Sequence, residues 1–199
     1  MQPTPPPSIS TCLRLMEEHG MLPHIRKHSF VVAQVADSVL QRLQSQVPPL
    51  TLPSKNLVIA GALLHDIAKT KCLQNGCDHA EEGWKICSQH GYPEIAEIVR
   101  EHVRLFSFTE ERYEKGIFLP KDIIFYADKR VNHSTVVDLN DRLDYILDKY
   151  GNNEPSRCQI IRKNFRKCQL LEEWLCRKSG CSPEELANIH SLSLLPRKP

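Results

Sequence analysis

Apolar residues in this chain recur every three or four positions, segment after segment, and almost never every second position. That spacing lines one face of an α-helix, whereas a half-buried strand alternates with a period of two. The expected fold class is therefore all-α, a bundle of six or more helices with a helical C-terminal extension.

Breakers cut the pattern into pieces. Pro3-Thr4-Pro5-Pro6-Pro7 cannot start a helix, so residues 1–10 read as a flexible lead-in outside the fold. Ile9 to Glu18 suits a short helix ending at Gly20. From His24 to about Gln44 the stripe is His28, Val32, Val35, Val39 and Leu43, and Val47-Pro48-Pro49 stops it. Ser54 caps a helix with Leu57, Gly61, Leu64, His65 and Ala68 on one stripe. Its run Leu57 to Leu64 is apolar nearly all round, which predicts a central helix closed by His65-Asp66. Asp78 with Glu81 announces a helix to about His90, and Gly91 ends it.

Pro93 opens the next helix, with Ile95, Ile98, Val99 and His102 on its inner side. After a loop from Phe106 to Gly116, a helix from Pro120 presents Ile124, Ala127, Asp128 and Val131. Asp138 to Lys149, Ser156 to Arg177 and Pro183 to His190 complete the set. Gly151-Asn152-Asn153 marks the one later break, so the expected division is a bundle over 11–150 and a helical extension and tail over 151–199.

Four of these apolar stripes carry an ionisable residue: His28, His65-Asp66, His102 and Asp128. Burying such groups is costly unless they are paired, neutral or metal-bound. A lone core histidine is usually a hydrogen-bonded structural residue, and Asp128 alone could partner a buried cation. Taken together they form a nitrogen and oxygen donor set suited to Mn, Fe, Co, Ni or Zn.

Leu64-His65-Asp66-Ile67-Ala68-Lys69, with His28 upstream and Tyr126-Ala127-Asp128 downstream, resembles the HD-domain superfamily of metal-dependent phosphohydrolases over about His24 to Lys149. The resemblance implies a helical bundle in which His28, His65, Asp66 and Asp128 share one divalent ion. It further implies His79 and His102 as ligands of a second ion bridged by Asp66, although Glu101-His102 stands where several binuclear members have paired histidines. Lys69, which the family places beside the centre, would meet a phosphate oxygen, and Arg104 is a further candidate for the substrate. Asp66 and Lys69 are thus the catalytic candidates; Glu101 is a weak candidate for general acid. Without the resemblance, Lys69 reads as a surface residue and His79 as a solvated first-turn residue.

The implied function is hydrolysis of a phosphoester or phosphoanhydride, in a nucleotide or dinucleoside polyphosphate, with one or two transition-metal ions as cofactors. Gly91-Tyr92-Pro93 matches a tripeptide of the cyclic-dinucleotide branch, but it precedes His102 and reads as helix punctuation. Two rivals stand beside this reading: a non-catalytic nucleotide-sensing domain, and a structural zinc protein using Cys72, Cys77 and neighbouring His79, Cys87 and His90.

Composition excludes other classes. Twenty-six Lys and Arg against 24 Asp and Glu leave a formal charge of +2, too little for a dedicated nucleic-acid or membrane-surface protein. The partner that the resemblance implies is a small phosphorylated metabolite, with neither nucleic acid nor a membrane expected. Lys27, Arg26, Arg100, Arg104, Lys129 and Arg130 flank the candidate ligands and could draw in an anion. Eight cysteines in 199 residues fall below the density of a disulfide scaffold, and no long apolar run occurs, so a reducing cytoplasm is expected. A Cys72–Cys77 disulfide would speak against that compartment.

Overall fold

Most of the helices start where a side chain caps the free N–H groups of the first turn or a proline occupies that turn. The protein, described here from a computed structural model, is defined over residues 4–46, 48 and 51–189. Its helices are α1 (Ile9–Glu18), α2 (Pro23–Gln44), α3 (Lys55–Leu64), α4 (Lys69–Asn75), α5 (His79–Gln89), α6 (Pro93–Glu101), α7 (Glu110–Glu114), α8 (Pro120–Lys129), α9 (Leu139–Tyr150), α10 (Pro155–Ser179) and α11 (Pro183–Leu186). Ser8, Ser54, Asp78, Asp138 and Ser182 each accept from an amide of the turn they cap, while Pro23, Pro93, Pro120, Pro155 and Pro183 occupy first turns. Gly91, with φ +80°, supplies the left-handed turn between α5 and α6.

Helix α3, apolar from Leu57 onward, is the axis of the fold: Val58 to Leu64 are all buried, and α1, α2, α6 and α8 surround it. Gly61 sets how closely they approach, since a Cβ there would stand 2.7 Å from Ile124 Cδ1 and 3.0 Å from Ile98 Cδ1. Every leucine or isoleucine on these facing stripes contributes about 1.5–3 kcal/mol on burial. The histidines and aspartates on the same stripes are carried inward with them.

The structure departs from the sequence reading in several places. The 1–10 lead-in boundary falls inside α1, and Pro7 is buried, because Cys12 and its neighbours need cover at the edge of the core. Met1 to Pro3, Val47 and Pro49 lie outside the described residues. The loop from Phe106 to Gly116 contains α7, and a two-stranded hairpin, β1 (Val131–Asn132) with β2 (Thr135–Val136), follows α8. Its turn residue His133 has φ +54°. The last helix ends at Leu186, short of His190, which with the rest of the tail lies outside the described residues.

Helix α10 lies on the bundle. It buries Phe165, Cys168, Leu171 and Leu175 at three- and four-residue spacing against α2, α8 and α9. A polar knot ties it there: Glu172 Oε1 accepts from Tyr126 Oη at 2.9 Å and Arg130 Nη1 at 2.8 Å, and Arg130 Nη1 also donates to the Pro183 carbonyl at 2.9 Å. Tyr126 and Arg130 sit two residues either side of Asp128, so the extension holds the end of α8.

Cys72 and Cys77 form a disulfide, which disagrees with the expectation of a reducing compartment. It also removes both sulfurs from the structural-zinc reading. Among the described residues no helix is long and apolar enough to cross a membrane.

Candidate metal centre

His65 and His102 arrive at the centre by the same local device. Each is the C-cap of its helix, α3 or α6, and donates from Nδ1 to the carbonyl three residues back, His65 to Ala62 at 2.7 Å and His102 to Val99 at 2.6 Å. A helix end leaves such carbonyls unpaired, and a histidine there satisfies one. His28, from α2, donates its Nδ1–H to the carbonyl of His133 at 2.9 Å. In all three rings Nδ1 donates to a carbonyl, which turns Nε2 toward the centre as the nitrogen that would ligate a cation.

These lone pairs converge on Asp66, whose two oxygens divide them into two groups. Oδ2 lies 3.9 Å from His28 Nε2 and 3.4 Å from His65 Nε2. Oδ1 lies 3.4 Å from His79 Nε2 and 3.5 Å from His102 Nε2. Asp128 Oδ1 joins the first group, at 3.0 Å from His28 Nε2 and 3.7 Å from His65 Nε2. In the second group the His79 and His102 Nε2 atoms are 3.2 Å apart. The six candidate ligands thus meet in one place, and His65 and Asp66 are 1% exposed or less.

The donor set fits a metal on two further grounds. His65 Nε2 and Asp66 Oδ1 are buried without a hydrogen-bond partner, a costly arrangement that a cation would relieve. The C-termini of α3, α6 and α8 also end here, bringing their partial negative charges together. Asp128 in the last turn of α8 is unfavourable for the helix itself and makes sense facing a cation.

Protonation favours the ligand forms of Asp66, Asp128 and His102, while His65 is shifted the other way. Burial would push the Asp66 carboxyl up, but the Lys69 ammonium, then His65 and His102, overcome it and hold it well below the usual range. Asp128 is likewise raised by burial but held low by His28, Lys129 and His65. Burial pushes the His102 imidazole down to about 4, leaving it neutral. His65 is pushed down by burial but raised overall by Asp66 and Asp128.

Lys69 opens α4, and its Nζ stands 2.7 Å from Asp66 Oδ2. The centre opens into a cavity of about 600 Å³ lined by Lys69, His79, His102, Arg104 and Asp128 on the bundle side. Arg104 is exposed at this mouth. Several of the other flanking cations are committed elsewhere. Arg130 is in the Glu172 knot, Arg100 pairs with Glu81, and Arg26 donates to the Met16 and Met21 carbonyls. Lys129 lines the cavity but spends its ammonium on the His102 carbonyl at 3.0 Å. Glu101 is no free acid: it pairs with Lys121 and accepts from the Phe106 and Ser107 amides.

Sequence reasoning missed the opposite wall. Arg142, Ile146 and Tyr150 of α9 and Arg157, Ile160, Ile161 and Phe165 of α10 face the ligands across the cavity, and the Cys72–Cys77 bridge forms part of its rim. The available signal was Ile160, Ile161 and Phe165 among the cations of α10. The hairpin was missed too, although Val-Asn-His-Ser-Thr-Val carries the turn whose carbonyl orients His28.

A helical bundle whose buried histidines and aspartates from separate helices could hold divalent metal is the architecture of a metal-dependent, hydrolase-like domain. The HD domain family matches residues 25–145, and the chain belongs to it. Two similar proteins are named tRNA (cytidine(56)-2'-O)-methyltransferase. The one from Thermoplasma volcanium is 28% identical over 66% of this chain and 40% of its own length. The one from Picrophilus torridus is 29% identical over 73% of this chain and 41% of its own. The chain therefore spans about two fifths of these relatives. An uncharacterized protein of Methanocaldococcus jannaschii is 30% identical over 58% of this chain and 73% of its own length. No solved structure matches.

Proposed function

We propose that this chain is a metal-dependent phosphohydrolase that cleaves a phosphoester or phosphoanhydride bond in a nucleotide or dinucleoside polyphosphate. The observation that carries the reading is the division of the Asp66 oxygens between two sets of imidazole nitrogens, which suits one carboxylate bridging two ions. His28, His65, Asp66 and Asp128 would hold the first ion and Asp66, His79 and His102 the second. Mn, Fe, Co, Ni and Zn all suit these donors. Such ions, when bound, supply a nucleophile at neutral pH by lowering the pKa of water and draw charge from phosphoryl oxygens.

The chain's own residues do the rest. Lys69, its pKa lowered by burial but raised overall beside Asp66 and Asp128, keeps its positive charge near the phosphoryl group. Arg104 and Arg157 at the cavity would hold the remaining phosphates, while Ile146, Ile160 and Phe165 offer an apolar surface to a base and exclude water. The cavity has the volume of a small-ligand site.

The names of the two longer relatives favour a second reading, in which the phosphate belongs to an RNA end. Exposed Arg157, Arg162, Lys163 and Arg166 on α10 suit it. Three fifths of each methyltransferase lies outside the shared segment, so the methyl-transfer activity is not carried over. The cytoplasm remains the proposed compartment, where the Cys72–Cys77 bridge would have to withstand thiol reductants.

The test is metal analysis followed by turnover on nucleoside mono-, di- and triphosphates, dinucleoside polyphosphates and oligoribonucleotides with terminal phosphates. Metal-loaded protein releasing phosphate or nucleotide, and losing this with Asp66→Asn, supports the reading. Loaded protein inert on all of them favours the non-catalytic sensing domain.

A further inference from the structure

A second histidine pair lies away from the centre and belongs to no part of it. His19 is the C-cap of α1 and His90 the C-cap of α5, and their Nε2 atoms stand 3.0 Å apart with the rings edge to face. Glu18 adds a carboxylate: Arg14 Nη1 holds its Oε2 at 3.1 Å, while Oε1 lies 3.9 Å from His90 Nε2. All three donor atoms lie within 4.8 Å of one another. The residues are exposed or half-buried, within reach of an ion from solvent.

Two imidazole nitrogens this close must share either a proton or a cation. Ligand nitrogens about 2.0–2.1 Å from one tetrahedral ion stand about 3.3 Å apart, close to the separation here and to the 3.2 Å between His79 and His102. Two helix C-termini meet at the pair, α1 and α5, both bringing partial negative charge. The third donor is an anion already oriented by Arg14. Lys71, the cation that acts on His19, is itself ion-paired with Glu82. A shared proton would account for the imidazole contact as well; the metal is favoured by the third donor, Glu18, whose ligand oxygen lies within 4.8 Å of both nitrogens.

We propose that Glu18, His19 and His90 form a peripheral site for one divalent transition ion, zinc by donor chemistry, which clips α1 to α5. Two imidazoles and one carboxylate suit zinc, cobalt or nickel and not magnesium or calcium, and they leave a position for water. His79 opens α5 and His90 ends it, so eleven helical residues, about 16 Å of rise, separate the clip from the metal centre. The clip anchors the far end of the helix that begins with a centre ligand.

Metal-stripped full-length protein, equilibrated with zinc by dialysis, tests this. In an Asp66→Asn, His65→Ala background, which disables the centre, the chain should still hold one zinc equivalent, and zinc should raise its melting temperature. Adding His19→Gln and His90→Gln should remove both effects, with far-ultraviolet circular dichroism unchanged. In the otherwise natural chain the same two changes should lower zinc content by one equivalent. Should the double change disturb folding, His90→Asn alone is read in the same way. Zinc content that is equal with and without the histidines overturns the site. Because the readouts are stoichiometry and melting, the result does not depend on whether the chain is a hydrolase.

Discussion

The ammonium of Lys69 lies 2.7 Å from Oδ2 of Asp66, the same oxygen that faces His28 and His65. A metal bound at that oxygen would compete with the lysine for it. An ion bound there would free Lys69 to turn toward a phosphate in the adjoining cavity. Lys69→Met should therefore leave metal affinity unchanged or higher while lowering turnover by about 10²–10³-fold, the usual cost of removing one preorganised electrostatic contact. Metal titration beside steady-state kinetics separates the two effects; loss of metal in this variant would contradict the competition.

Asp66→Asn should abolish turnover and cut metal content without unfolding the chain. The side chain keeps its volume, so core packing is retained, but it no longer offers two anionic oxygens. Elemental analysis and thermal melting check this together.

His79→Ala and His102→Ala should each remove one ion and leave the ion held by His28, His65, Asp66 and Asp128. The two should differ in stability. His79 is partly exposed at the start of α5, whereas His102 is buried and its Nδ1 satisfies the Val99 carbonyl. His102→Ala should thus cost roughly 1–3 kcal/mol more, from a lost hydrogen bond and a cavity. Metal stoichiometry unchanged in both would place the second ion elsewhere.

Glu172→Ala should destabilise the fold by about 3 kcal/mol, because it leaves Arg130, 3% exposed, without its carboxylate. The end of α8 should loosen with it, and metal at the Asp128 side should be held more weakly. Urea unfolding and a metal competition assay measure the two consequences.

Alkylation counts test the disulfide. Denatured, unreduced protein should take up six labels and reduced protein eight, since six cysteines are free and Cys72 and Cys77 are joined. Eight labels without reduction would restore the reducing-compartment reading.

The helices were legible because their signals are local. Ser54 and Asp78 cap where the sequence places caps, and the His28, His65, His102 and Asp128 stripes all face inward. A cap or a stripe needs only residues within two turns of itself. The hairpin at His133 went unread because four strand residues are too few for a period to register.

What the sequence determined by itself was the inventory: which of the longer helices form, though not α4 or α7, which side of each is apolar, and which ionisable groups ride on the apolar side. What only the tertiary structure decided was how these groups meet. That Asp66 turns one oxygen toward His28 and His65 and the other toward His79 and His102 depends on crossing angles set by contacts such as Gly61 against Ile124 and Ile98. The far wall of the cavity and the His19–His90 pair likewise join residues distant in the chain. Local patterns dictate what must be buried, but close packing of whole helices determines which buried groups become neighbours.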